Sequence, residues 1–445
     1  MEIHSLARGD EFKNSYVQGK SYIHGTSTTS LLFDTIGQRL RLAAKKYPDR
    51  EFVIFKKENV RKTYKEVLED SEKLALGLIH LGIEKGDRVG KAKSESQLIS
   101  SYIYRHLVTQ QNEWIATQFG CALAGLILVN VNPMYRTEDL SYAIDKVGIK
   151  ALLAPPEFKS SEYYNTLKDL IPELEKYPKG VGKITTDSFP KLRHLIIFDT
   201  EEDRSYNGAW RYNHVVQLGN AEDRRKLYQI EESVLPDSPA NIQYTSGTTG
   251  KPKGATLTHH NIVNNAYFVG LRGGYHEKKT IICIPNPLYH CFGCVMGSLS
   301  ALVHFQTCVF PAPSFEPIAA LKAIHEERCT AVYGTPTMYI DMLNHPEFHN
   351  YDYGSIRSGI VAGAPCPITL CARLVDDLGM QDLQVCYGTT ETSPVSFMSI
   401  REDPPEERIR NVGHIMDHLE AAIVDKEGKI VPRGEKGTCL CAATL

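Results

Sequence analysis

Thr245-Ser246-Gly247-Thr248-Thr249-Gly250-Lys251-Pro252-Lys253-Gly254 packs hydroxyls, glycines and two lysines into consecutive positions, directly after an apolar stretch ending at Tyr244. Such side chains add little to a hydrophobic core, but they suit phosphate. Glycines let backbone N–H groups approach oxygens, hydroxyls add donors, and lysines neutralise charge. The run is not a Walker A loop, which needs four residues between its glycines and a Ser or Thr after the lysine. Here only Thr248 and Thr249 separate Gly247 from Gly250, and Pro252 follows Lys251. By composition it could also be an ordinary Gly/Ser/Thr surface loop. The paired lysines, the bracketing glycines and the strand pattern before them favour phosphate.

Tyr387-Gly388-Thr389-Thr390-Glu391-Thr392 is the second informative run. An aromatic at a strand end can stack on a purine, Gly388 lets the backbone turn, and Thr390 can donate to phosphate. Glu391 supplies a hard oxygen suited to Mg²⁺. Alone, the run could equally be a capped turn, because Thr-x-Glu commonly starts helices. Gly363-Ala364-Pro365 reads as a tight turn whose flat backbone could face an adenine. Pro287-Leu288-Tyr289-His290 sets an aromatic and an imidazole at a strand-to-helix junction, and Tyr333-Gly334-Thr335-Pro336 is a turn of similar kind. Each has a routine structural reading; five such loops in order make coincidence a poor explanation.

These loops need strands to carry them. Short apolar runs recur at 52–55, 126–131, 152–154, 195–198, 281–284, 331–333, 360–362 and 383–387, most separated by helix-length segments. Leu32, Ile36, Leu40 and Ala43 predict a helix stopped by Pro48, and 64–82 predicts an amphipathic helix. Alternating β and α elements imply parallel sheets covered by helices. The loops after Tyr244, Ile284, Tyr333, Ala362 and Tyr387 are then expected to converge at the carboxyl ends of the strands. The fold class is α/β: two helix-covered, mainly parallel sheets plus a small β subdomain. The expected division is 1–240, 241–400 carrying the phosphate loop, and 401–445. The polar stretch 201–225 reads as a linker, and Lys91 to Gln110 breaks the alternation as an atypical insertion.

Bulk properties exclude several classes. A net charge of −3 leaves no basic stripe for nucleic acid or an anionic membrane. The longest apolar stretch, 121–131, is too short to span a bilayer, so no transmembrane segment is expected. Eleven cysteines lie mostly inside apolar runs, the habit of reduced buried thiols. Cys291-Phe292-Gly293-Cys294 has CxxC spacing without a second pair for zinc. The first residues hold no apolar signal region and carry acids at Glu2, Asp10 and Glu11.

Taken together, the runs 245–254, 287–290, 333–338, 363–365 and 387–391, with His259-His260-Asn261-Ile262-Val263-Asn264-Asn265, resemble the adenylate-forming superfamily. Within it they look like the fatty acyl-CoA synthetases, in particular the medium-chain group. The resemblance implies ATP-dependent activation of a fatty acid to acyl-AMP and then acyl-CoA, with ATP, Mg²⁺ and coenzyme A as cofactor and co-substrates. It implies that Thr245, Ser246, Gly247, Thr248, Thr249, Gly250, Lys251, Pro252 and Lys253 hold the phosphates. Tyr387, Gly388 and Thr389 would serve the adenine side, with Gly363, Ala364 and Pro365 backing it. Thr390 would meet the α-phosphate and Glu391 would bind Mg²⁺. His290 would gate the acyl pocket beside Tyr289, Gly334 and Thr335. Partners would be small molecules, and location mitochondrial, with cytoplasm as the alternative.

Relatives continue past a phrase like Gly434-Glu435-Lys436-Gly437 into a ribose-binding Asp, a hinge and a small domain with an adenylating lysine. No residue after Gly437 matches these. The expectation is an impaired enzyme, or a non-catalytic nucleotide- or acyl-binding fragment of one. A phosphotransferase is disfavoured by the missing Ser or Thr after Lys251 and of a kinase-type Asp loop.

Overall fold

The computed structural model describes residues 14–92, 111–132, 135–157, 163–199, 201, 203–245 and 251–443. Three sheets organise them. The seven-stranded sheet runs Lys253–Thr258, Pro239–Thr245, Ile127–Val131, Arg88–Ala92, Ile149–Ala154, His194–Ile197, Trp210–Arg211. All its neighbours are parallel except the edge pair formed by Lys253–Thr258 and Pro239–Thr245. The nine-stranded sheet runs His414–Ile415, Val395–Met398, Asp382–Gly388, Ser358–Val361, Ala331–Gly334, Ile281–Cys283, Thr307–Phe310, Glu51–Phe55, Val60–Thr63. It is parallel from Asp382–Gly388 to Glu51–Phe55 and closes with antiparallel strands at both edges.

Local chemistry starts the helices that cover these sheets. Ile36–Lys46, Tyr64–His80 and His259–Arg272 each begin at a threonine with a reciprocal capping box: Thr35 with Gln38, Thr63 with Glu66, Thr258 with Asn261. The threonine hydroxyl accepts from the third helical N–H, satisfying an orphan donor. One continuous apolar cluster contains Val89 and Leu128 of the seven-stranded sheet, Phe55 and Ile282 of the nine-stranded one, and Leu74, Phe119 and Val263 of the helices between. A shared close-packed core of this kind holds the two sheets in one register.

The division expected at 240 and 400 does not follow these sheets. Pro239–Thr245, which leads into the phosphate-loop run, belongs to the seven-stranded sheet of the first half, and the hairpin Glu51–Thr63 belongs to the nine-stranded sheet of the second. Strand order is set by long-range pairing, which chain position does not encode. The tail divides too. His414–Ile415 joins the nine-stranded sheet, while Leu419–Val424 and Thr438–Ala443 pair with Asn14–Tyr16 and Tyr22–Gly25 in a four-stranded antiparallel sheet. The expected linker at 201–225 holds the edge strand Trp210–Arg211, the helix Tyr212–Val215 and the start of the helix Ala221–Ser233. Its polarity is that of an edge and a solvated helix face. Of the insertion expected at Lys91 to Gln110, Lys91 and Ala92 end the strand Arg88–Ala92, and 93–110 lie outside the described residues.

Candidate functional site

Pro239–Thr245 and Lys253–Thr258 are antiparallel neighbours, with Thr245 opposite Lys253 and Tyr244 opposite Gly254. The phosphate-type run therefore connects the two arms of a hairpin, whereas a Walker A loop leads from a strand into a helix. Ser246 to Gly250 lie outside the described residues. On the flanks, the Lys251 ammonium stands over the Tyr142 ring at 5.3 Å, and half-buried Pro252 leads into exposed Lys253 and Gly254 at the strand start. The Thr245 hydroxyl donates to Glu391 Oε1 at 3.2 Å. That bond joins the seven-stranded sheet to the loop after the strand Asp382–Gly388 of the other sheet.

The loop carrying Glu391 is tightly determined. Gly388 lies where an added Cβ would meet the Pro394 carbonyl oxygen at 1.7 Å, so only glycine fits the chain folding back there. Thr390–Thr392 form one 3-10 turn. The single Thr392 O–H lies 3.0 Å from both the Thr389 and Pro394 carbonyls, shared between them, and its oxygen accepts from the Thr389 N–H at 3.2 Å and the Ser396 hydroxyl at 2.8 Å. Next to it, the buried Asn265 amide donates to the Val395 carbonyl at 2.8 Å and accepts from the Val395 N–H at 3.1 Å. Arg272, on the same helix, donates to the Met398 and His414 carbonyls at 3.1 and 3.0 Å and pairs with Asp417 at 2.9 Å. The helix His259–Arg272 thus anchors the strand Val395–Met398, whose partner Tyr387 lies opposite Phe397 with ring centroids 6.2 Å apart.

The remaining loops reach the same region in two groups. Cys291, directly after His290, has its sulfur 3.4 Å from the Thr390 hydroxyl, and burial pushes its thiol up to about 11. His290 Nδ1 accepts from the Phe292 N–H at 3.1 Å, so the imidazole also fastens the entry to the π-helix Phe292–Leu299. Tyr289, half-buried, precedes it. In the second group, Gly363 has φ +91° and sits against Thr335, whose methyl would lie 3.4 Å from an added Cβ. The Ala362 N–H donates to the Gly334 carbonyl at 3.4 Å. Gly363, Ala364 and Pro365 are exposed. Thr335 caps the helix Pro336–Leu343 by accepting from the Met338 N–H.

Two links thus stand at the head of the sheets: Thr245 to Glu391, and Thr390 to Cys291. Lys251 instead leans toward the helix Thr137–Lys146. Thr392, Asn265, Arg272 and Cys291 were not singled out as site residues in the sequence. The adjacent Asn264-Asn265 on an otherwise apolar helix face was the available signal, since buried amides require partners. The Cys291–Cys294 pair is buried and reduced, and Cys294 accepts from the Gln243 amide at 3.1 Å. This agrees with a structural role. Among the described residues no cluster of three or more metal-ligating side chains occurs, and no helix is long and apolar enough to cross a membrane.

Comparison with known proteins gives this arrangement its family. A sequence model of the family described as AMP-binding enzyme matches residues 40–96 and 107–443. The medium-chain acyl-CoA ligase ACSF2, mitochondrial, of Danio rerio is 42% identical over 419 residues, covering 94% of this chain and 66% of that protein. The protein of the same name from Homo sapiens is 39% identical over 422 residues, covering 94% and 65%. The chain thus spans about two thirds of the length of these curated relatives. Its fold is similar to the anthranilate CoA ligase AuaEII in complex with anthranoyl-AMP, with a TM-score of 0.73 at 19% identity, covering 93% of this chain and 70% of that one. The α/β architecture is that of adenylate-forming enzymes, and the chain belongs to the AMP-binding enzyme family.

Proposed function

We propose that this chain takes part in ATP-dependent activation of a fatty acid, of medium chain length, to acyl-AMP and then acyl-CoA. The observation that carries the reading is the 3.2 Å bond between Thr245 and Glu391. It brings the flank of a phosphate-type loop and a hard carboxylate to one point from two sheets. Relatives named as medium-chain acyl-CoA ligases support the substrate class, and the mitochondrial designation in their names supports the same location for this chain.

The chemical problem is that a carboxylate is a poor electrophile, because oxide is a bad leaving group. Attack of its oxygen on the α-phosphorus of ATP expels pyrophosphate and leaves a mixed anhydride. The thiolate of coenzyme A then attacks the acyl carbon and AMP departs. Positioning and charge neutralisation dominate such transfers, so no side-chain nucleophile is required. In this reading Thr245 to Lys253 wrap the β- and γ-phosphates, Thr390 donates to the α-phosphate, and Tyr387 and Gly388 to Thr389 pack the base against Gly363 to Pro365. His290, with Tyr289, Gly334 and Thr335, borders the acyl chain. The donor set suits Mg²⁺: one exposed carboxylate beside a hydroxyl leaves the rest of an octahedral shell to phosphate oxygens and water, the usual arrangement for this ion. When bound, the ion would withdraw charge from the phosphates.

A non-hydrolysable acyl-adenylate carrying a medium-length chain tests this. Titration calorimetry should show it binding more tightly than AMP or the free acid alone. Equal, weak binding of all three would end the proposal.

A further inference from the structure

Cys366 and Cys371 form a close pair of thiols beside the turn at Gly363. Their sulfurs are 3.1 Å apart, about 1 Å longer than a disulfide bond. Cys366 lies in the segment entering the helix Ile368–Asp376 and is half-buried, whereas Cys371 is fully buried one turn inside that helix. A hydrogen bond from the Cys371 thiol holds the Cys366 thiol below its ordinary pKa, with burial opposing. This is the combination expected of a reactive thiol and its resolving partner. The other partly exposed thiols, Cys439 and Cys441, stand 3.9 Å apart on one strand, and the rest are buried.

We propose that Cys366 and Cys371 are a peroxide-reactive dithiol whose oxidation to an intrachain disulfide displaces the Gly363–Pro365 turn and weakens nucleotide binding. The Cys366 thiolate attacks one peroxide oxygen, the O–O bond breaks, and hydroxide leaves, giving a sulfenic acid. The Cys371 sulfur then attacks that sulfur, and the hydroxyl departs with the thiol proton as water. Two thiols are oxidised and one peroxide is reduced to water. Closing the gap requires one side to move. The helix is held by buried Leu370 and Leu374 and by Arg373, which donates to Asn344 at 3.0 Å. The turn at 363–365 is exposed, and a Cβ added at Gly363 would meet only Thr335 within 4 Å, so the turn is the side that yields.

The effect on nucleotide rests on the function proposed above; formation of the disulfide does not. Trypsin cuts after Arg357 and Arg373, releasing a peptide with these two cysteines and no other. After treatment of the folded chain with hydrogen peroxide, that peptide should be lighter by two hydrogens. ATP should then bind about tenfold more weakly, the loss of one or two well-made contacts, with recovery on adding dithiothreitol. C366S and C371S should bind ATP as the reduced protein does, form no disulfide, and keep that affinity after peroxide, although C371S still carries the Cys366 sulfenic acid. Absence of the disulfide at a peroxide dose that oxidises Cys439 or Cys441 would overturn the proposal, as would its formation with unchanged ATP affinity. A reduced protein that fails to bind ATP would refute the function reading, while the lighter peptide would still uphold the dithiol.

Discussion

Thr245 and Glu391 are 146 positions apart in the chain and one hydrogen bond apart in space. On the proposed function, the Glu391 carboxylate serves an ion and a triphosphate and should matter most when both are present. Glu391→Ala is therefore expected to weaken Mg²⁺-ATP binding about tenfold to a hundredfold, matching the ~1.5–3 kcal/mol of a hydrogen bond to a charged group. Metal-free ATP should lose far less, and calorimetry with and without Mg²⁺ separates the two. Gly388 sets the shape of the same loop. Gly388→Ala forces a methyl into the Pro394 carbonyl, so the turn must open. We expect about 1–3 kcal/mol of destabilisation together with loss of nucleotide binding, read from chemical denaturation and titration. Both residues stand out in the sequence, because glycine at a strand end and glutamate after a hydroxyl pair are chemically conspicuous.

The helix His259–Arg272 is the element that anchors the strand following the Gly388–Glu391 loop. Asn265 pairs with both polar backbone groups of Val395, imitating a strand edge, and Arg272 ties the same sheet edge from below. Asn265→Ala leaves a buried N–H and C=O without partners. It should cost about 2–4 kcal/mol, seen as a lower unfolding midpoint, and should weaken nucleotide binding through the strand that Asn265 holds. Unchanged nucleotide affinity in a folded variant would show that the helix does not position the loop. The capped start of this helix follows from Thr258 and Asn261, three apart, a spacing visible in the chain. Its role as a clamp was not, since the strand it grips lies 130 residues further on.

At the scale of the whole molecule, three buried histidines couple the packing to pH. Burial lowers His194, His259 and His304 to about 4. His259 Nδ1 accepts from the Ile36 N–H at 3.2 Å and His194 Nδ1 from the Trp210 indole at 3.3 Å, so protonation would remove both acceptors. His304 Nε2 lies 2.8 Å from the Tyr267 carbonyl. The unfolded chain binds these protons near pH 6.5 and the folded chain only near pH 4, so stability falls as pH drops through that window. Each group contributes up to about 1.4 kcal/mol per pH unit there. Scanning calorimetry at about pH 7.5 and about pH 5 should show a clearly lower Tm at the acid value. Replacing His304 by Gln should flatten the slope, and an unaltered slope would remove His304 from the account.

Periodicity and local chemistry were enough to determine the kinds of element. Apolar runs at 52–55, 281–284, 331–333 and 383–387 each become a strand of one sheet, and Thr245 and Gly388, within the two polar runs, end strands. These depend on residues within a few positions of one another, and such information survives in a linear chain. Strand order does not. That Pro239–Thr245 lies beside Ile127–Val131, that Glu51–Phe55 lies beside Thr307–Phe310, and that Tyr22–Gly25 closes against Leu419–Val424 were decided by packing across hundreds of residues. The burial of a shared core selects among pairings that local propensity leaves equivalent.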